Sequence, residues 1–280
     1  MTVRAIAYPR IWRVAAAVLI TISGASVPVM LGAVLTRTRP ITPQMLIQAF
    51  SVLAIAPAVA GWLIERAFAA RLEIKDGALV IDRGEARVEI PCGAIARITP
   101  WVIPLPGSGL SLGLRSGRRV RYGLHLADPS VVLEMLTRAG GPQSALTLLQ
   151  HPSVVYARAK HRARWRWYHL VFKFVVFALV PTLPLFRVQQ LIVWGDPFGQ
   201  YYLRGLQPYA QEFGLYWAQV AIALVLYAGV WRGLAEAAAL LAAWAAPSRA
   251  ARVRQVAEVG CSVLYYAGVP ALLIRHFLPW

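Results

Sequence analysis

The stretch RLEIKDGALVI, residues 71–81, decides the fold of one part of this chain. Residues 71–75 alternate between charged and apolar side chains, which is the pattern of a half-buried β-strand. Asp76-Gly77 is a favoured two-residue hairpin turn, and residues 78–81 supply an apolar partner strand. The stretch therefore predicts a β-hairpin and, with it, a β-rich domain.

The residues that follow extend this hairpin into a sheet closed by one helix. The helix is expected to start at Asp128-Pro129-Ser130, where a proline occupies the first turn, and to end at Gly140-Gly141. The whole domain is predicted to span residues 68–145. In chain order, its further elements are strands over 86–90, 94–98 and 110–115, a turn at Ser116-Gly117, a strand over 119–124 and a helix over 131–138.

This order of elements resembles the bacterial pleckstrin-homology-like (bPH) domain. The resemblance is carried by LEIKDGALVIDRGEARVEIPCGAIARITPW, residues 72–101, and by GSGLSLGLRSGRRVRYGLHLADPSVVLEMLTR, residues 107–138. In the family's pattern a DG hairpin precedes an IP…I…I strand, a glycine- and leucine-rich hairpin and a terminal helix. The resemblance covers about residues 68–140. It implies a PH-like fold in a membrane protein and carries over no functional residue.

The composition of the whole chain indicates a membrane protein. Of 280 residues, 58% are hydrophobic and only 15% are charged, and the mean hydropathy is +0.55. The net charge of +17 could suggest a nucleic-acid partner, but such proteins are not normally this apolar, so none is expected. The two cysteines are too few for a disulfide framework or a cysteine-built zinc site.

Five runs with few charges predict five transmembrane helices, since about 20 apolar residues cross a bilayer. The first run could instead be a signal peptide with a cleavage site near Ser23-Gly24-Ala25. It continues to Leu35, and this length favours a retained span. The last run is the shortest. The predicted spans cover about residues 14–36, 42–64, 168–190, 214–236 and 257–276.

The spans and the domain predict a multi-pass protein of the bacterial inner membrane. An Arg-, Ala- and Trp-rich composition suggests a bacterial source, and basic residues favour a cytosolic N-terminus and an outside C-terminus, with 22 on the inner segments and 5 on the outer ones. The expected divisions are a transmembrane hairpin (1–67), the bPH-like cytosolic domain (68–145), a basic juxtamembrane helix (146–167) and further transmembrane helices (168–280) with an aromatic outer segment (194–213).

No constellation of residues predicts catalysis. The chain has no H-E-x-x-H motif or P-loop, and no histidine lies near another histidine or a cysteine at metal-ligand spacing. We therefore expect no catalytic residue, no cofactor and no metal, and an enzyme is disfavoured. The spans also carry no carboxylate near their centres, which disfavours an ion-coupled transporter.

Two segments are candidates for contact with lipid or a partner. The loop PWVIPLPG, residues 100–107, is too apolar for a solvated connection. Its residues Trp101 and Ile103 either cap the open end of the small barrel or form a wedge against the inner leaflet or a partner helix. The second segment is a basic run that either only keeps this part of the chain in the cytosol or also recognises the headgroups of anionic lipids. Its cations are Arg158, Lys160, Arg162, Arg164 and Arg166.

Two further sets of charges lie in the predicted spans. Lys173 is close enough to a span end for its amine to reach the headgroups. Arg232 and Glu236 are four residues apart and can pair on one helix face.

Three functions remain open from the sequence. The first is a non-catalytic membrane protein that uses the PH-like domain for docking or lipid contact. The second is an accessory subunit of an envelope transport or biosynthesis complex, favoured by the small residues of 235–246, which permit close packing with a partner or a second copy. The third is an intramembrane enzyme acting on lipid or glycan, supported by the aromatic outer segment. A stoichiometric co-purifying partner would favour the second, and a lipid or nucleotide bound at the outer segment would favour the third.

Overall fold

A computed structural model describes residues 2–36, 42–84, 86–162 and 167–271. The described chain contains a curled antiparallel sheet of seven strands together with long apolar helices. The strands are β1 (Thr2–Pro9), β2 (Ala69–Lys75), β3 (Ala78–Asp82), β4 (Arg87–Pro91), β5 (Ile95–Pro100), β6 (Gly109–Leu114) and β7 (Tyr122–Leu126).

The helices have the following bounds. In chain order, helices α1 (Arg10–Thr36) and α2 (Pro43–Ala67) come after β1 and before β2. Helix α2 contains a π-helical turn over Ser51–Ile55. After the sheet come α3 (Pro129–Arg138), α4 (Ser144–Thr147), α5 (Pro152–Arg162), α6 (Tyr168–Trp194), α7 (Gly199–Arg204), α8 (Leu206–Ala245) and α9 (Ala250–Tyr266).

The hairpin predicted from residues 71–81 is confirmed. Strands β2 and β3 pair in register from Arg71↔Asp82 to Lys75↔Ala78. Asp76 and Gly77 form the turn with φ values of 51° and 73°, a region that favours glycine and tolerates aspartate. The closing helix α3 is also confirmed, and Asp128 caps it by accepting a hydrogen bond from the backbone N–H of Ser130.

The sheet contains one strand that the sequence did not predict. Residues 2–9 were expected to flank the first span, but they form β1, which pairs with both β2 and β7. The strand order is β4-β3-β2-β1-β7-β6-β5, so β1 is the central strand. The helices α1 and α2 are therefore an insertion between two neighbouring strands of one sheet.

The core of the domain lies between the inner face of this sheet and α3. Alternate residues of β1 and β2, including Ala5 and Leu72, are buried, and Leu133 and Leu136 of α3 pack in the same cluster. Arg4 and Arg71 occupy the alternating positions, so they project from the outer face of the sheet.

Within the described part of the chain, four helices are long and apolar enough to cross a membrane, judged by length and composition: α1, α2, α6 and α8. Helix α8 runs without interruption over 40 residues and extends beyond both ends of the span predicted over about 214–236. A fifth span was predicted over about 257–276. Helix α9 is not among the four, and residues 272–280 lie outside the described part of the chain.

The chain divides into two compact units. The first consists of Met1–Ser23, Ala56–Arg164 and Glu236–Ala257 and contains the sheet. Within it, Tyr156 of α5 packs against Ala239 and Ala243 of α8 and Ala250 of α9. The second consists of Gly24–Ile55, Trp165–Ala235 and Glu258–Trp280 and is helical where it is described.

Aromatic contacts organise the second unit. The buried ring of Phe186 contacts the rings of Tyr209, Phe213 and Tyr216, all with centroid separations below 6 Å. Tyr209 and Phe213 of the predicted aromatic segment therefore pack within this unit.

Candidate functional site

An open cleft of about 940 Å³ lies between the outer face of the sheet and the last turns of α2. Both elements belong to the first unit. The cleft is lined by Arg4, Ala5, Ile6, Trp62, Glu65, Arg66, Ala69, Ala70, Arg71, Asp82, Arg83, Gly84, His125 and Ala127. Among the described residues that line it, four arginines outnumber two carboxylates, so this lining is basic.

The register of the sheet places two of these arginines side by side. Arg4 of β1 lies directly opposite Arg71 of β2, and Arg71 lies opposite Asp82 of β3. Residues directly opposite each other project from the same face, so these three side chains form one row across the outer face. Two like charges in direct opposition destabilise a sheet unless an opposite charge lies between or beside them.

The other two arginines are supported by aromatic rings. The guanidinium of Arg83 lies 5.0 Å from the ring centroid of Phe68 and 5.2 Å from that of Tyr122. The guanidinium of Arg66 lies 5.6 Å from the ring of Trp62. These cation–π contacts hold the positive groups at the cleft without neutralising them.

Within the described residues, none of the four cleft arginines has a carboxylate at ion-pair distance. The Nε of Arg83 is buried and has no hydrogen-bond partner there. Asp82 is already engaged, because its Oδ1 accepts the backbone N–H of Gly84 at 2.9 Å. The cleft thus has guanidinium donors available for an anion.

His125 lies deeper in the cleft and is electrically neutral at neutral pH. Its ring is stacked with that of Tyr8, at 6.3 Å between centroids and 8° between planes. Burial, followed by the positive charge of Lys160, lowers the pKa of His125 to about 4. The pKa of Tyr8 is raised by burial and by the negative charge of Glu65. Both rings are therefore uncharged at neutral pH, and His125 lines the cleft.

The apolar loop of residues 100–107 is divided between interior and surface. Trp101 is buried, its Nε1 donates to the Oγ of Ser111 at 2.9 Å, and Arg13 of α1 lies 4.4 Å from its ring. A Cβ on Gly109 or Gly123 would lie 2.9 or 2.7 Å from the indole, so both positions need glycine. Trp101 therefore packs with Tyr8 of β1 and Ala16 of α1, in a cluster separate from the core between the sheet and α3.

Ile103 has the opposite placement. Its side chain is 67% exposed, and that of the neighbouring Val102 is 58% exposed. Because Trp101 packs in one cluster with Ala16 of α1, this tip lies beside the beginning of the first candidate span. The structure thus separates Trp101, which packs inside, from Ile103, which is free to contact a lipid or a partner.

The basic run is described only in part. Arg158 donates to the Oγ of Ser130 at 3.2 Å and lies 3.6 Å from Glu134, so it joins α5 to α3. Lys160 is half-exposed and lies 4.0 Å from Glu236. The side chain of Arg162, and the whole of Arg164 and Arg166, lie outside the described residues, so recognition of anionic headgroups by this run stays a prediction.

Lys173 lies within α6 and is buried. Its Nζ is 4.3 Å from the ring centroid of Tyr265, and the hydroxyl of Tyr265 donates to the Lys173 carbonyl at 2.7 Å. The aliphatic stem and amine thus pack against an aromatic wall of the second unit.

The sequence does not predict the cleft, because the apolar run that follows residues 2–9 indicates the flank of a span and not the strand that carries Arg4. The available signal was the alternation in TVRAIAYP, residues 2–9. Within the described residues, no group of three or more His, Cys, Asp or Glu side chains could hold a metal ion.

Comparisons of this chain with protein-family models, with curated proteins and with solved structures gave no match.

Proposed function

We propose that this chain is a multi-pass protein of the bacterial inner membrane whose PH-like cytosolic domain is a module for lipid contact. The seven-strand curled sheet with strand order β4-β3-β2-β1-β7-β6-β5 and a closing helix supports the PH-like assignment. The four long apolar helices support the membrane assignment, and the distribution of basic residues supports a cytosolic domain.

The observation that carries this proposal is the pairing of β1 with β2. These two strands flank the α1–α2 insertion, and they pair from Thr2↔Glu73 to Ile6↔Ala69. Strand β1 ends at Pro9 and α1 begins at Arg10, so no linker separates the sheet from the helix. A sheet built on both ends of a transmembrane hairpin is held at the membrane surface by its own fold.

The exposed tip of the 100–107 loop supports contact with lipid. It lies beside the start of α1, where exposed Ile11 and Trp12 indicate the membrane interface. Burying Ile103 and Val102 in the bilayer would contribute about 1.5–3 kcal/mol each.

The alternative of an accessory subunit is supported less by the structure of the small-residue segment. Ala239 and Ala243 are covered by Tyr156 of the same chain, so this face of α8 is already used internally. The segment therefore does not by itself require a partner.

An environment-sensitive fluorophore on the tip tests the proposal. We would replace Cys92 and Cys261 with alanine, attach the probe through Ile103→Cys or Ser116→Cys, and reconstitute the full chain in phosphatidylcholine nanodiscs. Position 116 is the matched control because it lies in the turn at the far end of β6, about 20 Å along the strand. A blue-shifted, lipid-quenched signal at 103 and a water-like signal at 116 are expected. Water-like signals at both positions would overturn lipid contact by the tip.

A further inference from the structure

We infer that the basic cleft binds the phosphate-bearing headgroup of an anionic lipid. This inference rests on the proposed placement of the domain at the membrane and adds the chemical class of ligand. It concerns the cleft, which is separate from the 100–107 tip.

The unbalanced charge of the cleft favours an anion with more than one negative oxygen. Arg4 and Arg71 directly oppose each other, and Asp82 offsets only one of them in the row. Guanidinium groups bind phosphate oxygens in a two-pronged geometry, and a phosphate between Arg4 and Arg71 would turn repulsion into attraction.

In the described part of the chain, another arginine of the same sheet does have a carboxylate partner, in contrast to the cleft arginines. Arg87 of β4 donates from Nε to Glu89 at 2.9 Å and from Nη2 to the same carboxylate oxygen at 2.8 Å. Within the described residues, the four cleft arginines have no such partner. Among the residues that the structure describes, their convergence is therefore not an ion-pair network that stabilises the domain.

The position and size of the cleft favour a lipid over a free ion. One wall is formed by Trp62, Glu65 and Arg66 at the end of α2, a candidate membrane span. A headgroup in the cleft can thus keep its acyl chains in the bilayer. A volume of about 940 Å³ is at the upper end of small-molecule sites, so a phosphate with an attached glycerol or sugar fits.

The test compares two charge-matched double variants of the full chain in nanodiscs. Phosphatidylcholine nanodiscs with and without a minor fraction of phosphatidic acid are used, and retained phosphatidic acid is counted by native mass spectrometry. Arg4→Gln with Arg71→Gln should lower retention about twenty-fivefold, since each arginine near an anionic surface contributes about fivefold. Arg118→Gln with Arg119→Gln, two exposed residues outside the cleft, should leave retention unchanged.

Thermal unfolding of the same samples keeps the test decisive if a variant folds poorly. In pure phosphatidylcholine the double variant Arg4→Gln with Arg71→Gln should have a Tm equal to or higher than that of the unmodified protein, because a like-charge pair is removed. Phosphatidic acid should raise the Tm of the unmodified protein and not that of the variant. An equal rise in both, or equal retention by both double variants, would overturn the inference.

A competition with glycerol 3-phosphate distinguishes the two sources of phosphate. The soluble compound should displace phosphatidic acid only weakly, because it lacks the acyl chains. If it binds as tightly as the lipid, the cleft is a site for a free phosphorylated metabolite and the lipid assignment is wrong. A failure of this inference is distinguishable from a failure of the proposed function, because the fluorophore at position 103 reports the tip alone.

Discussion

The guanidinium of Arg254 donates two hydrogen bonds to the carboxylate of Glu236, with Nη2–Oε1 at 2.8 Å and Nη1–Oε2 at 3.2 Å. The Arg254 side chain is only 4% exposed, and Tyr156 donates its hydroxyl to the same carboxylate. One ion pair therefore connects α9 to α8 and, through Tyr156, to α5.

Breaking this pair should destabilise the first unit. Arg254→Ala leaves the Glu236 carboxylate half-buried without its main partner, so a loss of about 3 kcal/mol is expected. Arg87→Ala is the control, because both members of the Arg87–Glu89 pair are more than half exposed and such pairs contribute about 0–1 kcal/mol. Thermal unfolding in a mild detergent measures both. Equal shifts for the two variants would contradict the prediction.

The packing of Trp101 yields a second prediction. Trp101→Ala should cost about 3–5 kcal/mol, because it empties a buried position, whereas Ile103→Ala at the exposed tip should cost less than about 0.5 kcal/mol. Gly123→Ala should also be destabilising, since its Cβ would lie 2.7 Å from the indole.

A double variant identifies the indole as the cause. In the Trp101→Ala background the additional change Gly123→Ala should cost little, because its steric conflict has been removed. The measurement is again the unfolding midpoint. Additive costs of the two changes would show that Gly123 is required for another reason.

The sequence was sufficient for local features of the domain and insufficient for its central strand. The Asp76-Gly77 turn and the Asp128 cap are local, so residues adjacent in the chain determine them. Strand β1 pairs with β2 across an insertion of two long helices, and a pairing this distant leaves no local signal beyond alternation. Residues 2–9 also precede an apolar run, which made a charged flank the simpler interpretation.

The ion pairs between helices are also not predictable from local sequence. Spacing of four predicted that Arg232 and Glu236 could pair with each other on α8. The structure shows that each also has a partner on α9: Arg232 lies 3.6 Å from Glu258, and Glu236 accepts from Arg254. Contacts between helices depend on their packing, which periodicity within one helix does not reveal. The cleft was missed for a related reason, since it requires β1, β2 and α2 together.

The membrane orientation can be tested at two exposed positions. We expect Leu203→Cys, in α7, to react with an impermeant thiol reagent on intact cells, and Ser116→Cys to react only after permeabilisation, because the basic segments favour the cytosol. Ser116 is preferable to Gly117, whose φ of 79° disfavours a side chain. Labelling at 116 on intact cells would reverse the assignment of sides.

The last prediction concerns the dependence of stability on pH. The pKa of His125 is lowered to about 4 in the folded protein, whereas an unperturbed histidine titrates near 6.5. Above pH 6.5 the imidazole is neutral in both states, so the shift has no effect. As the pH falls from about 6.5 towards 4, the unfolded chain takes up a proton that the folded protein excludes. The folded state should therefore lose up to about 3 kcal/mol over this interval.

The variant His125→Gln isolates this contribution, because glutamine does not titrate and other groups, including His151, remain in place. The difference in unfolding free energy between the unmodified protein and the variant should be constant above pH 7 and should fall between pH 6.5 and 4. A bound anion would favour the protonated imidazole, since His125 lines the cleft. Phosphatidic acid should then reduce the loss at low pH. A difference that does not change with pH in pure phosphatidylcholine would show that His125 titrates normally and that the ring is hydrated in the folded protein.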